Sequence, residues 1–87
     1  MNKTAKSELQ KIPGVGKSIA RDLQNIGIHS IADLKGKNTE TLYAQSNQFA
    51  GVTQDRCLLY VFRCAVYFAE QENPEPYKLK WWNWKDR

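Results

Sequence analysis

The residues best placed to do chemistry lie in one short run, Ile12-Pro13-Gly14-Val15-Gly16-Lys17-Ser18. Two glycines, one residue apart, let the backbone turn tightly and approach a ligand with no side chain in the way. Gly16 leads into a segment of helical periodicity, and the first amides of a helix have no partner within it. Those donors and the positive end of the helix dipole favour an anionic oxygen. Lys17 and Ser18 add a charge and a hydroxyl, Arg21 follows one turn on, and Lys11 precedes the loop. The chemistry this pattern supports is the grip of a phosphate group, with Lys11, Gly14, Val15, Gly16, Lys17, Ser18 and Arg21 as the expected contact set.

The letters GVGKS also resemble the end of a nucleotide-binding P-loop. That motif needs a glycine five residues before the final Gly-Lys-Ser, where this chain has Lys11, and a strand before the loop, where this chain reads as helical. Nucleotide hydrolysis is therefore excluded. Other catalytic patterns are missing from the sequence. His29 is the single histidine and falls in a loop, with no nucleophile spaced to use it as a base. Asp22, Asp33 and Asp55 belong to different elements and read as helix-terminal or surface residues. The expectation is a protein that is not an enzyme, with no cofactor, no metal and no small-molecule substrate.

Cys57 and Cys64 lie on one predicted helix, about 10 Å apart along its axis, too far for a disulfide within one chain. With one histidine beside them, a zinc site is unsupported, and both thiols are expected to pack in the core. The N-terminal stretch lacks the apolar run of a signal peptide. The most apolar run, Cys57 to Ala69, is interrupted by Arg63 and is too short to span a bilayer. The expected location is cytoplasmic, with no membrane partner.

The elements that must position the phosphate-facing run are all helical. No segment alternates with period two over a useful length. Ser7 and Gln10 suggest a capping box for a short first helix carrying Leu9 and Ile12, which Pro13-Gly14 breaks. A second helix is predicted over Lys17 to Asn25, with Ile19, Ala20, Leu23 and Ile26 on one face and Gly27 as its C-terminal cap. Ser30, with Asp33 at the third position of its box, begins a short third helix that Gly36 ends. Asn38 or Thr39 opens a fourth, stopped by Gly51. Thr53 is the expected cap of a long fifth helix to about Gln71, with Val52 and Cys57 spaced as a hydrophobic staple.

An internal repeat at an offset of 37 aligns Ile12-Pro13-Gly14-Val15 with Phe49-Ala50-Gly51-Val52, and Ala20 with Cys57. The second copy has Thr53 in place of Gly16 and Gln54 in place of Lys17, so it is expected to pack without gripping. The charge is unequal in the same sense. Residues 1–37 carry seven basic and three acidic groups, while residues 38–87 carry six of each, so the net +4 lies wholly in the first part. That asymmetry favours a polyanion at the first hairpin.

The stretch from Leu9 to Ile28 resembles the helix-hairpin-helix motif of DNA repair and recombination proteins. The whole arrangement is similar to their double-hairpin domains and to the C-terminal domain of the competence regulator TfoX. More closely, IPGVGKSIARDL, DRCLLYVFRCAVY and the WWNWKD ending make nearly the full chain resemble the small bacterial proteins of the pathogenicity locus family. The resemblance implies an all-α, five-helix, SAM-like double-hairpin domain over residues 1–73, with a first hairpin at 8–25, a connector at 30–35 and a degenerate second hairpin at 42–71. It implies binding of duplex DNA through the backbone, without sequence preference, by the amides around Gly14, Gly16 and Ser18 with Lys17 assisting.

Residues 74–87 form a tail in which Tyr77, Trp81, Trp82 and Trp84 are interleaved with Lys78, Lys80 and Lys85. The expectation is that its tryptophans fold back to complete a core too small to close alone. The alternative is a stacking platform for exposed bases, with Lys80, Trp81, Trp84 and Lys85 as a secondary contact set. Arg56, Tyr60, Arg63, Tyr67 and Glu70 share one face of the fifth helix, expected to be solvated or covered by the tail. The competing function is a protein-interaction domain whose hairpin is structural and whose tail or Arg56/Arg63 face docks a protein partner.

Overall fold

The computed structural model describes residues 8–85, which form three α-helices joined by loops and 3₁₀ turns, with no strand among them. Helix α1 spans Lys17–Asn25, α2 spans Thr39–Ala50 and α3 spans Cys57–Glu70. Single 3₁₀ turns occupy Glu8–Lys11, Ala32–Leu34, Pro76–Leu79 and Trp81–Trp84. The all-α reading holds, and two of the five expected helices are 3₁₀ turns instead.

Both shortenings have local causes. Pro13 lacks an amide donor and disfavours the α conformation at Ile12, so the chain before it closes with three-residue bonds, Ile12 N–H to the Leu9 carbonyl at 3.1 Å. The Ser7 half of the expected first capping box lies outside the described residues. Between Ile28 and Gly36 the chain is too short for a regular helix, and it too closes with three-residue bonds. Its capping box is nevertheless complete: Ser30 N–H donates to Asp33 Oδ2 at 3.1 Å, and Asp33 N–H donates to Ser30 Oγ at 3.2 Å.

Helix α3 is the structural centre. Leu58, Leu59, Val61, Phe62, Cys64, Ala65, Val66 and Ala69 are all buried along it. Helix α2, the Ala32–Leu34 turn and the tail pack on α3, while α1 leans on α2 and on the first 3₁₀ turn. Leu9, Ile12, Leu23 and Leu34 are fully buried with Phe62, so the first 3₁₀ turn, α1 and the Ala32–Leu34 turn share one core with α3. Removing a buried ring such as Phe62 from so small a core costs about 3–5 kcal/mol.

The start of α3 corrects the sequence reading. Thr53 does not cap it: the helix begins at Cys57, whose amide donates to Asp55 Oδ1 at 2.8 Å. Residues 51–56 are held off the helical path because the Gln54 amide donates to Asn47 Oδ1 at 2.9 Å, tying the loop back to α2. The expected staple does not form, since Val52 is 62% exposed. Cys57 likewise faces solvent at the first turn and only Cys64 is in the core; both thiols are free. Burial pushes the Cys64 thiol up to about 11, and the Asp55 carboxylate raises that of Cys57.

The tail folds back. The Trp84 carbonyl accepts from Arg63 Nη1 at 2.8 Å, and the Trp84 ring lies 5.5 Å from that of Tyr67. Arg63 also pairs with Glu40 at 3.1 Å, and Lys78 stands 5.7 Å over the Tyr67 ring. The middle of the Arg56–Glu70 face is thus covered by the tail, and its end is engaged too, because Glu70 Oε2 accepts the Gly36 amide at 2.8 Å.

Candidate nucleic-acid interface

The Pro13–Gly16 loop begins from a buried residue and ends on an open helix. Ile12 and Val15 point into the core, and the Val15 amide donates to the Ile12 carbonyl at 3.0 Å. Gly14 turns the chain with φ +87°, a conformation that costs an L side chain dearly. A Cβ at Gly14 would also lie 3.1 Å from Trp81 Cδ1, so the tail's indole rests against this glycine.

Gly16 differs in both respects. Its φ of −94° and ψ of −168° suit any residue, and a Cβ there would meet nothing within 4 Å. It is the N-cap of α1, the Ala20 amide donates to its carbonyl at 2.9 Å, and no side chain caps the helix. The amides of the first turn have no intrahelical partner, so they form a donor cluster at the positive end of the helix dipole.

Lys17, Ser18 and Arg21 are exposed on α1, and with Asp22 they line a shallow depression. Partial burial raises the Asp22 carboxyl above its usual range, and Asp22 is the acidic residue among the four that line the depression. Lys11 is exposed at the end of the first 3₁₀ turn. Of the seven residues singled out from sequence, Gly16, Lys17, Ser18 and Arg21 therefore share one open edge. Gly14 is backed by Trp81, and Val15 has both its side chain and its amide committed internally.

The second turn, Gly51 to Arg56, is built otherwise. Gly51 again has φ +77°, but Gln54, at the position aligned with Lys17, is turned inward. Its Nε2 donates to Ser46 Oγ at 2.9 Å and to Asn47 Oδ1 at 3.1 Å, and its carbonyl accepts from the Tyr43 hydroxyl. Ser46 is the buried polar side chain that this contact satisfies. Sequence alignment of the two turns gave no hint of this latch, because its partners lie on the preceding helix and have no counterpart in the first hairpin. The other equivalences of the repeat fail: buried Val15 and Ala20 align with exposed Val52 and Cys57.

The secondary set separates as well. Trp84 is anchored through Nε1 to the Lys78 carbonyl at 2.7 Å and Trp81 packs on the core and on Gly14, whereas Lys80 and Lys85 are exposed. His29 is exposed, and its backbone amide donates to Asp33 Oδ2 at 3.0 Å. Among the described residues no group of three or more His, Cys, Asp and Glu is placed to hold a metal, and no helix is long and apolar enough to cross a membrane.

Comparison with known proteins places this molecule. The family described as "Pathogenicity locus" matches residues 2–87, and the chain belongs to it. It is 35% identical over 78 residues to the mitomycin resistance protein McrB of Streptomyces lavendulae, covering 90% of this chain and 70% of that one. It is also 39% identical over 49 residues to the DNA polymerase IV of Photorhabdus laumondii subsp. laumondii, covering 56% of this chain but 14% of the polymerase. No solved structure matches it significantly.

Proposed function

We propose that this Pathogenicity locus protein is a small, non-enzymatic DNA-binding module that contacts the phosphate backbone of duplex DNA without sequence preference. On this reading the Glu8–Lys11 turn, the Pro13–Gly16 loop and α1 make a minimal helix-hairpin-helix clamp within a SAM-like domain, and the Gly51–Arg56 turn is its packing-only counterpart. The observation that carries the proposal is Gly16. Among the residues that helix N-caps favour, Ser, Thr, Asp and Asn satisfy the first amides with a side chain, and glycine does not. The backbone and the space at Gly16 would admit any of them, yet the position is bare and α1 is uncapped. A glycine that the fold does not require leaves those amides open to an outside acceptor.

Lys17, Ser18 and Arg21 beside them match a phosphate, and the net positive charge of residues 1–37 matches a polyanion. The partial likeness to a DNA polymerase, a protein that by its name acts on DNA, agrees with this reading. Of the competing reading, a protein docked on the tail or on the Arg56/Arg63 face, the second half is disfavoured because Arg63 is engaged by the tail. One clamp neutralises about two or three phosphates, so log affinity falls against log salt with a slope of about −2 to −3. Titration of labelled duplexes of unrelated sequence at several salt concentrations tests this. Equal affinities with that slope support the proposal, and a salt-independent or sequence-selective interaction contradicts it.

A further inference from the structure

The tail's three tryptophans have three different environments. Trp81 rests on Gly14 of the hairpin, and Trp84 is pinned by Lys78, Tyr67 and Arg63. Trp82, between them, is 50% exposed and meets Trp81 edge to face, with ring centroids 5.7 Å apart. The turn that displays it is held by Asn83, whose N–H donates to the Lys80 carbonyl at 2.9 Å and whose Nδ2 donates to the Tyr77 carbonyl at 2.8 Å. A domain short of apolar core thus leaves one of its three indoles half in solvent, on a hydrogen-bonded turn, one ring away from the hairpin.

We infer that Trp82 and the hairpin form one composite surface, in which Trp82 stacks on an unpaired base of a DNA strand whose phosphate lies at the Gly16–Arg21 edge. This rests on the hairpin reading above and narrows its ligand to DNA with unpaired bases next to duplex. Bases inside a continuous duplex are closed to an indole by their own neighbours, whereas an unpaired base offers a π-face of any sequence. A displayed ring on a hydrogen-bonded turn loses little freedom on stacking, and exposed Lys80 and Lys85, close to it along the chain, offer charge for the adjoining backbone. Trp81 links the two halves, because its seat on Gly14 sets the position of Trp82 relative to the clamp.

The test uses the full chain, fluorescence anisotropy at low salt, and two labelled DNAs: a blunt duplex and the same duplex with a short thymidine overhang. One stacked base gives the overhang DNA roughly tenfold tighter binding. Trp82→Ala removes that preference and leaves blunt-duplex affinity unchanged, Trp82→Phe retains most of it, and thermal unfolding verifies that both variants fold. Equal affinity of the wild-type chain for the two DNAs, or a preference that survives Trp82→Ala, overturns the inference. Blunt-duplex binding that ignores Lys17→Glu overturns the hairpin reading, and the composite surface with it.

Discussion

The Pro13–Gly16 and Gly51–Arg56 turns do the same topological work, each reversing the chain ahead of a helix, yet they direct their polar groups oppositely. In the second, Gln54 faces α2 and satisfies Ser46 and Asn47, while Asp55 closes the first turn of α3. In the first, α1 starts on a bare glycine with no side-chain cap and presents Lys17, Ser18 and Arg21 to solvent. A turn whose donors are satisfied internally adds stability and has nothing left to offer a ligand. One whose donors stay open gives up that stability and keeps a binding edge. The difference between the loops is thus the physical basis for proposing phosphate contact at one and packing at the other.

Predictions that break or sharpen this contrast begin with the first hairpin's two glycines. Gly14→Ala forces an alanine into the left-handed region and against Trp81. It should destabilise by about 1–2 kcal/mol from the backbone alone, with displacement of the indole adding to it. Chemical denaturation and indole fluorescence report both effects. Lys17→Glu should lower duplex affinity at least about tenfold at low salt while leaving the unfolding midpoint nearly unchanged, as expected for an exposed residue. Gly16→Ser sharpens the case further, because it should move stability and affinity in opposite directions. Its hydroxyl caps α1 and stabilises by a few tenths of a kcal/mol, and it occupies an amide that the phosphate would take. A rise in both, or a fall in both, would remove the contrast.

The second loop provides the converse. Gln54→Ala strips the buried Ser46 hydroxyl of its partner and should cost about 1–2 kcal/mol, with duplex affinity unaltered. The smallest effect concerns Asp33, whose carboxyl is held below its usual range first by the His29 amide and then by Ser30. A carboxyl depressed in the folded state contributes stability above its unfolded value of about 4 and loses it as pH falls through the folded value. Asp33→Asn should therefore flatten the acid limb of the stability profile below about pH 4 and leave neutral-pH DNA binding alone.

What was legible in the sequence follows the range of the forces involved. Helix α1, the Ser30–Asp33 box and the stops at Gly27 and Gly51 are local features set by residues within a turn of each other, and the structure has them as read. The folding back of the tail followed from the shortage of core in so short a chain. The late start of α3 was not legible, because Gln54 is held by α2 and not by its own neighbours. Nor was the division of labour between the glycines. Only the fold shows that Gly14 is demanded by its angle and by Trp81, and that Gly16 is demanded by neither. Cys57 misled for a related reason: it has the composition of a core position and the geometry of a helix start.

The central claim is that one loop is a clamp and the other is not, and a single spectrum series tests it. In an amide-resolved NMR titration of the full chain with a blunt duplex at low salt, the resonances of Gly16 through Arg21 should shift progressively, while those of Gly51 through Arg56 should stay fixed. Shifts confined to the second loop or to the α3 face, or no shift at Gly16 through Arg21, would contradict the account.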